Sequence, residues 1–599
     1  MIKIKQNIQL LLLGGLLFLC LYCGSPKTGN LHPAENQPPV ANAGMDKSVL
    51  LDIPYLLNGS QSYDADLDSL SFEWTMIQKP VDSLAILSLS QTLRPSFTPD
   101  REGIYIFSLI VHDGKIGSSP DQVRITARSS VGSVLFVDQA SSSTVEDGTV
   151  DHPFKTISAA LLHSQDEDSI KVTAGNYTEN LILPNQSVSL LGGYSHTFQT
   201  RHLDKYSPAT TITAANPAWP VIGFGGYAGN DCNWYGGDSR ITIEGFTLTG
   251  GKNGVRVNGE GLFLYLAHNK IVNNGSLSDS RDDRSGGVQS NGLNVVIRQN
   301  YILENKGGMG GGLILQDADS PRDEPFLVEE NIIENNQGGA DHGAGVVISA
   351  RQGLFTKNLV INNHANQNTD YGWAGGLILT RCRYFADPKS YVELSNNIYR
   401  GNTAKSAGGG VFVDDYAYAL MRNELIVGNK THHGRGSGLY VNAPASRVFL
   451  INCTLADNSS LLEPSNASAI FIEGDGSAHS ADVVGKNLII WGNSGTGIDI
   501  ADGGTLEISF SDIQGGFSGL GNIQADPLFV NPGSDYHLLS LGGYWDESLQ
   551  TWLPGSAQSP GIDAGDPSFS EGNEPMPHGQ RINLGAYGGT AYASKSGSF

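Results

Sequence analysis

Short apolar segments alternate with small and polar residues in a pattern that repeats about every thirty residues between Asn269 and Asn493. In each repeat an apolar segment follows an asparagine, and a small-residue cluster then leads into a second apolar segment, as in Gly408-Gly-Gly-Val-Phe-Val. The asparagine that closes the frame recurs at Asn274, Asn305, Asn336, Asn363, Asn402, Asn429, Asn458 and Asn493. Segments this short cannot bury a face alone, which predicts β-strands whose successive coils stack about 4.8 Å apart.

The repeat predicts a right-handed parallel β-helix. An asparagine at the same place in every coil can hydrogen-bond with its copies above and below, so Asn336 and Asn363 are expected to stack at one inward corner. The glycines permit positive φ at corners and close packing between coils. Neither the fixed leucine frame of a leucine-rich repeat nor the four strands per repeat of a propeller occurs. The repeat resembles the pectate-lyase-like class of β-helix proteins.

Both ends of this region, residues 133–595, carry features of a closed β-helix. Thr156 is a predicted N-cap for a short amphipathic helix, which would cover the first coil and its unpaired edge. The tail contains Ala525-Asp-Pro-Leu-Phe-Val, Ser559-Pro-Gly-Ile-Asp-Ala-Gly-Asp-Pro and Asn583-Leu-Gly-Ala-Tyr-Gly-Gly-Thr. These motifs resemble the C-terminal segment of surface-anchored β-helix proteins of the choice-of-anchor Q type, which implies a C-terminal cap segment.

Upstream, residues 38–128 show short apolar strands separated by turn residues around a central Trp74. This pattern favours an immunoglobulin-like β-sandwich, whose core often packs on a tryptophan. The segment contains Asn58-Gly-Ser-Gln-Ser-Tyr-Asp-Ala-Asp-Leu-Asp, Phe97-Thr-Pro-Asp and Val111-His-Asp-Gly. These motifs resemble the polycystic-kidney-disease-type (PKD-like) domain, which implies an extracellular spacer or adhesive module. The predicted fold class is all-β: a right-handed parallel β-helix preceded by an immunoglobulin-like (PKD-like) β-sandwich.

Three carboxylates alternate in one predicted turn of this domain, at Asp64, Asp66 and Asp68. A short turn can gather them around a hard cation such as Ca2+, which some PKD-like domains carry. An aspartate-rich turn that bonds to its own backbone is an equal alternative. Leu67 stands where related loops often carry a glycine. Calcium is the one candidate cofactor.

Composition narrows the functions open to the chain. Its 599 residues include 75 glycines and 16 % charged residues, which suits a β protein with a buried core rather than a disordered chain. The formal net charge of −23 argues against nucleic acid as a partner, because a nucleic-acid binder needs a basic surface. The five cysteines provide no Cys-x-x-Cys pair that reads as a metal or redox site, and Cys453 is expected to be a small buried residue.

The N-terminus predicts export. Two lysines precede an apolar run too short to span a bilayer as a helix, and Leu19-Cys-Leu-Tyr-Cys-Gly-Ser follows. This resembles a bacterial lipoprotein signal, residues 1–22, in which Cys23 would be diacylated. Cys20 is the alternative lipidation site, and an ordinary secretory signal is the alternative signal. Residues 23–37 would then tether an exported lipoprotein to a membrane through its N-terminal lipid, on the outer-membrane, periplasmic or cell-surface face.

Two stacks of loop side chains are candidates for a binding site, because loops at the same phase of successive coils become neighbours. The first stack lies between the asparagine frame and the glycine cluster and contributes the candidate glycan-binding residues His342, Tyr371, Trp373, Lys405, His433 and Arg435. Aromatic rings can cover the apolar faces of sugars, and charged groups can hydrogen-bond hydroxyls or uronic carboxylates. The second stack follows the apolar strand and alternates in charge, with Asp317, Asp319, Arg322, Asp323, Arg351, Arg381, Asp414, Asp415 and Glu473 among its members.

The main functional hypothesis is a membrane-anchored protein that binds glycan or another envelope or extracellular polymer. A polysaccharide lyase or glycoside hydrolase of the pectate-lyase-like fold is the alternative, and an adhesin for a host or neighbouring cell is a third hypothesis. A lyase would need a base, Lys405 or Arg435, and a cation for the uronic carboxylate. The Gly-His-Gly and Arg-Ile-Lys phrases of the polygalacturonase family are absent, and no catalytic residue is assigned.

Overall fold

The computed structural model describes residues 36–597 except 67–69, 225–238, 260–261, 278–285, 293, 317–324, 340–342, 366–371, 381–390, 434, 463–467, 477–479 and 496. The predicted signal peptide, Cys20, Cys23 and most of the tether lie outside these residues. Within the described ranges, no helix is long and apolar enough to cross a membrane.

The N-terminal region forms the predicted immunoglobulin-like β-sandwich. Its larger sheet, over the described residues, has the order Lys47–Leu50, Asp121–Arg128, Gly103–His112 and Ser71–Gln78. Its smaller sheet has the order Tyr55–Leu56, Ser96–Phe97 and Leu87–Ser88. Buried and exposed residues alternate along the long strands because successive side chains point to opposite faces. Trp74 is 3 % exposed in the core between the sheets, which confirms the predicted tryptophan core.

The rest of the chain winds into coils whose strands stack in parallel, so the predicted parallel β-helix is confirmed. In stacking order the first sheet comprises Val134–Val137, Asp168–Thr173, Val188–Tyr194, Arg240–Glu244, Phe263–Ala267, Val295–Arg298, Phe326–Glu329, Gly353–Thr356, Val392–Ser395, Tyr418–Arg422, Arg447–Ile451, Asp482–Lys486 and Thr505–Ser509. The second sheet comprises Gly175–Thr178, Thr210–Thr213, Phe246–Thr249, Lys270–Val272, Tyr301–Leu303, Ile332–Glu334, Leu359–Ile361, Ile398–Arg400, Leu425–Val427, Thr454–Ala456, Ile489–Trp491 and Asp512–Ile513.

Two further sheets are formed by other strands of the coils. The third sheet comprises Leu181–Ile182, Ile222–Phe224, Val255–Asn258, Val288–Asn291, Leu313–Gln316, Val346–Ser349, Leu377–Thr380, Val411–Asp414, Leu439–Asn442, Ser468–Glu473 and Gly497–Ala501. The short fourth sheet comprises Lys306–Gly307, Gln337–Gly338, His364–Ala365, Thr403–Ala404, Lys430–Thr431 and Ser459–Ser460. In a coil with all four, the chain passes from the first sheet to the second, fourth and third, and then enters the next coil. The coil is right-handed, the hand that parallel crossovers almost always take.

Columns of inward asparagines lie at the corners of the second sheet. Asn336 donates its backbone N–H and its Nδ2 to Oδ1 of Asn363 at 2.9 and 3.0 Å. Both side chains are fully buried, so the predicted stacking of these two residues is confirmed. The residues before them, Asn335 and Asn362, have φ of 54° and 52°, a left-handed conformation that asparagine adopts more readily than most residues.

The predicted helix at the start of the β-helix is Ile157–His163. Thr156 is its N-cap, and its side chain accepts the backbone N–H of Ala159 at 3.2 Å, as predicted. Ile157 and Leu161 are buried in the interior core of the β-helix. The helix therefore closes the first end of that core.

The C-terminal segment lies along the side of the β-helix. Phe517 packs against the end of the interior core, but the residues that follow fold back over the outer face of the second sheet. There Phe529, as part of the hairpin Phe529–Asn531 and Asp535–Leu538, covers the outward side chains Leu425 and Val427. The second sheet carries apolar side chains on both faces in these last coils, which explains why the tail packs there rather than only across the end.

The sandwich packs on the outer face of the first sheet. Leu56 of the sandwich shares a buried cluster with Tyr265, Leu327 and Leu354 of that sheet. The Arg94 side chain, 1 % exposed, donates to Oε1 of Gln352. The two domains therefore meet through a contact that combines apolar packing with a buried cation.

Candidate functional site

Trp373 and Arg435 lie in one column of the β-helix. Each pairs with Ala407 through a parallel β-bridge, so the three residues occupy successive coils. In the middle coil the backbone N–H of Lys405 donates to the carbonyl of Gly372 at 2.9 Å. The structure therefore brings together Trp373, Lys405 and Arg435, three of the candidate residues predicted from the sequence.

Two histidines complete this surface, which we call the coil face (Trp373, Lys405, His432, His433 and Arg435). The backbone N–H groups of His432 and His433 donate to the carbonyl of Lys405 at 3.2 and 3.3 Å. His433 and Arg435 are exposed, and the other three residues are half-buried. The five side chains thus come from three consecutive coils held together by main-chain hydrogen bonds.

The glycine clusters fix how closely these coils approach. A Cβ atom on Gly409 would lie 2.4 Å from the carbonyl oxygen of Ser437, and one on Gly410 would lie 2.7 Å from that of Gly438. Only glycine fits such contacts. The cluster that follows the coil face therefore keeps neighbouring coils in register as the chain enters the third sheet.

An aromatic row on the outer face of the third sheet supports Trp373. Ring centroids are 5.3 Å apart for Trp373 and Phe412, 4.8 Å for Phe412 and Tyr440, and 5.3 Å for Tyr440 and Phe471. Phe412, Tyr440 and Phe471 are 0, 4 and 3 % exposed, whereas Trp373 is half-buried. Trp373 is therefore the least buried ring of this row, and it packs against the buried cluster that contains the other three.

Arg435 links the two predicted loop stacks. Its guanidinium lies 5.1 Å from the ring centroid of Phe471, and its Nη1 lies 3.1 Å from Oε1 of Glu473. The hydroxyl of Tyr440 donates to the other oxygen of the Glu473 carboxylate. The sequence pattern did not predict this ion pair, because Arg435 and Glu473 belong to different loop stacks. The alternation of Phe471 and Glu473 along one strand could have indicated it, since alternation puts both side chains on the outward face.

Among the described residues at the coil face, basic side chains outnumber carboxylates, although Glu473 pairs with Arg435. The pKa of His432 is lowered by burial and then by the neighbouring positive charges of His433 and Lys405. Lys430 lies exposed on the adjacent strand of the fourth sheet. Because the whole chain carries a net charge of −23, this concentration of basic groups is a local exception that favours an anionic ligand group.

Several predicted residues fall outside the described part of the chain. His342 and Tyr371 of the first stack do, as do Asp317, Asp319, Arg322, Asp323 and Arg381 of the second stack. A third polygalacturonase phrase, Asn-Thr-Asp, does occur in the sequence at residues 368–370, next to Tyr371 and outside the described residues, without the other two phrases.

The adjacent pair Asp414 and Asp415 lies at a turn. Asp414 ends a strand of the third sheet and accepts a hydrogen bond from Nδ2 of Asn442 at 2.8 Å. Asp415 and Tyr416 follow with φ of 49° and 63°, so the chain bends directly after Asp414. At this position of the second stack, neighbouring coils are joined by a hydrogen bond from the neutral amide of Asn442 to the carboxylate of Asp414, not by a salt bridge.

The candidate calcium turn is described only in part. Asp64 accepts the backbone N–H of Asp66 at 2.8 Å, and Asp66 accepts the backbone N–H of Gln37 at 2.6 Å. Asp68 lies outside the described residues. Over the residues that the structure describes, no group of three histidine, cysteine or acidic side chains is placed to hold a metal ion. The Asp64 contact is a local Asx-type bond, whereas Asp66 bonds to a backbone N–H 29 residues away in the chain.

Three family models match parts of the chain. They are a PKD domain family over residues 43–127, a protein family of unknown function (DUF1565) over residues 141–374, and the right handed beta helix region over residues 374–513. The chain is thus similar to PKD domains over residues 43–127 and to right-handed β-helix proteins over residues 374–513. A comparison with curated proteins gave no match.

Three solved structures show partial similarity. A nucleoside hydrolase-related hypothetical protein from Saccharophagus degradans, associated with carbohydrate metabolism, is 19 % identical over 16 % of this chain and 26 % of its own, with a TM-score of 0.15. The PKD domain from KIAA 1837 protein is 25 % identical over 16 % of this chain and 95 % of its own, with a TM-score of 0.14. A Family 28 exopolygalacturonase from Yersinia enterocolitica is 11 % identical over 79 % of this chain and 99 % of its own, with a TM-score of 0.24. At these TM-scores no function is transferred to this chain.

Proposed function

We propose that this chain is an exported protein, anchored to a membrane through a lipid on Cys23, whose β-helix binds a glycan or another polymer of the cell envelope or extracellular space. The observation that supports binding is the coil face. Trp373 and Arg435 lie in one column, with Lys405 between them along the stack and two histidines beside it.

These side chains offer complementary contacts to a sugar polymer. A partly exposed indole can cover the apolar face of a pyranose ring, and ammonium and guanidinium groups can bond to hydroxyls or carboxylates. Coils about 4.8 Å apart space these groups along the axis of the β-helix, so an extended polymer can contact several coils in succession. Acidic glycans are the preferred ligands because the coil face carries cations on an otherwise acidic chain.

A glycan array followed by titration calorimetry tests the proposal. We expect the full chain to bind a uronic-acid hexasaccharide, and Trp373→Ala to weaken that binding by about ten- to a hundredfold, by analogy with the loss of one stacking ring. Lys405→Ala should weaken binding to acidic glycans more than to neutral ones. Trp219→Ala is the matched control, because Trp219 is 44 % exposed and precedes a third-sheet strand five coils before the one that Trp373 precedes.

Two outcomes would count against binding at the coil face. Equal affinity of the wild type and Trp373→Ala for the uronic-acid hexasaccharide would show that Trp373 does not contribute to binding. If new reducing ends or unsaturated products formed during the titration, the chain would cleave the polymer rather than only bind it, as the alternative hypothesis states.

The anchor has its own test. Two acyl chains provide the hydrophobic attachment that stable membrane association needs. We expect Cys23→Ala to move the protein to the soluble fraction. A chain that stays membrane-bound with Cys20 intact would show that Cys23 is not the lipidated residue.

A further inference from the structure

A second cluster of aromatic rings lies on a hairpin of the C-terminal segment, formed by Tyr544–Asp546 and Thr551–Leu553. Trp545 and Trp552 are direct partners across the two strands, with ring centroids 5.5 Å apart and planes at 63°. Tyr592, from the end of the chain, lies 5.5 Å from Trp545. This cluster holds two of the seven tryptophans of the chain. We call it the hairpin patch (Trp545, Trp552, Tyr592 and Lys595).

The hairpin patch is accessible and firmly held. Tyr592 is 50 % exposed, both tryptophans are half-buried, and Leu549 in the turn is 61 % exposed. The backbone N–H of Lys595 donates to the carbonyl of Gly543 at 2.9 Å, which ties the chain end to the hairpin. A cross-strand aromatic pair would by itself stabilise the hairpin. That role does not require a third, half-exposed ring from a distant segment, so the cluster is larger than hairpin stability needs.

Polar groups surround the rings in an arrangement suited to hydroxyls. The indole N–H of Trp545 donates to Oε2 of Glu547 at 2.9 Å, which places an exposed carboxylate at the edge of the ring. Asp546 directly follows Trp545, so its carboxylate points to the other face of the strand, where it accepts the Ser548 hydroxyl at 2.6 Å and the backbone N–H of Leu549 at 2.9 Å. The Lys595 ammonium lies 4.4 Å from the centroid of Trp552, so a cation already covers one face of that ring. Carboxylates have acceptor sites to spare for sugar hydroxyls, and rings cover C–H faces.

We infer that the hairpin patch is a second saccharide-binding site and that it takes a neutral hexopyranose chain. One carboxylate, Glu547, and one ammonium, Lys595, lie beside the rings, so the patch has no charge excess that would favour a charged polymer over a neutral one. The net charge of −23 on the whole chain disfavours a second copy of the chain as the occupant, because two copies would repel each other. The site shares its ligand class with the proposed function but none of its residues, because the coil face lies beside the third sheet and the hairpin belongs to the tail on the second sheet.

The test titrates the full chain with cellohexaose, mannohexaose and maltohexaose, followed by calorimetry and tryptophan fluorescence. We expect at least one of these neutral probes to bind, and Trp545→Ala to weaken that binding by about tenfold or more. Tyr592→Ser should act in the same direction without touching the cross-strand pair. It therefore keeps the test valid if Trp545→Ala disturbs the hairpin. Trp219→Ala should leave neutral binding unchanged.

The two sites fail separately. If no neutral probe binds, or if Tyr592→Ser and a folded Trp545→Ala bind as wild type does, the hairpin site is wrong and the coil face is unaffected. If the acidic hexasaccharide fails to bind while neutral probes bind in a Tyr592-dependent way, the proposed coil-face function is wrong and the hairpin site stands. Loss of neutral binding in Trp373→Ala with full binding in Tyr592→Ser would also overturn the inference, because it would assign the neutral ligand to the coil face.

Discussion

At the scale of single residues, Glu424 changes the chemistry of an otherwise uniform column. It occupies the corner position that asparagine fills in the preceding coils, and Asn397 donates its backbone N–H and Nδ2 to Oε1 of Glu424 at 3.0 and 3.1 Å. The carboxyl is fully buried, and burial raises its pKa to about 8. A neutral carboxylic acid can both accept and donate, as an amide does, so the protonated form suits this column.

Stability should therefore depend on pH through Glu424. Between the ordinary pKa of 4.5 and the folded value of about 8, the folded chain holds a proton that the unfolded chain has lost. The free energy of unfolding should fall as pH rises through this window, by about 1.4 kcal/mol per pH unit from this group at most. Glu424→Gln should remove that contribution. Urea unfolding of both proteins at pH 5, 6, 7 and 8 measures the difference.

Comparison of the two proteins isolates Glu424. Burial also raises the pKa of Asp512 to about 6 and of Glu574 to about 7, but both groups are present in wild type and variant and cancel in the difference. A wild-type minus variant difference that stays constant from pH 5 to pH 8 would mean that Glu424 is ionised in the folded protein.

At the scale of elements, the asparagines at the corners of the coils hold successive coils in the same register. Asn336 accepts the backbone N–H and the Nδ2 of Asn305 at 3.0 and 3.1 Å while donating to Asn363 and to the carbonyl of Ile302. Its side chain therefore satisfies polar groups of the preceding and the following coil at once, in a place with no access to water. One substitution at a corner should disturb its neighbours above and below.

Asn336→Leu tests this at a single corner. The variant leaves the buried N–H groups of Asn305 without their acceptor, so we expect a loss of about 1–3 kcal/mol in the free energy of unfolding. Gln337→Leu, one residue later, is the control, because Gln337 is only half-buried and outside the column. It should change stability by less than about 0.5 kcal/mol. Wild-type stability of Asn336→Leu in urea unfolding would mean that the column is dispensable.

At the scale of the whole molecule, a buried cation helps to hold the sandwich against the β-helix. Arg94 reaches the outer face of the first sheet, where Glu393 is 2 % exposed. Burial raises the pKa of Glu393 above its usual value, and the positive charges of Arg422 and Arg94 offset only part of that rise. At the other end of the contact, Arg128 of the sandwich pairs with Glu167 at 2.8 Å. The domains are therefore expected to move as one body.

Arg94→Ala should loosen this contact. Removal of one partner from a buried charge cluster costs about 2–5 kcal/mol, because the remaining carboxylate stays desolvated. We expect faster amide hydrogen exchange in Phe326–Glu329 and Gly353–Thr356, the strands that the sandwich covers. Arg101→Ala, at an exposed position of the same domain, is the control. Unchanged exchange in both strands would show that apolar packing alone holds the domains together.

The sequence by itself determined the features that repeat or that depend on near neighbours. The inward asparagines, the Thr156 cap and the tryptophan core of the sandwich were all predicted and are confirmed. Periodicity is sufficient here because each coil packs on copies of itself, so one register explains every corner. The same register brought Trp373, Lys405 and Arg435 together as expected.

Only the tertiary structure decided which residues from unrelated positions meet. The pairing of Arg435 with Glu473, the insertion of Arg94 beside Glu393 and the meeting of Tyr592 with Trp545 follow no period in the sequence. Each depends on the length of a side chain or on where a domain or tail packs, and those are set by the shape of outer surfaces. The sequence repeat determines the structure of each coil, because the same pattern occurs many times along the chain. Each of these three contacts occurs once, so no repeated pattern in the sequence predicts it.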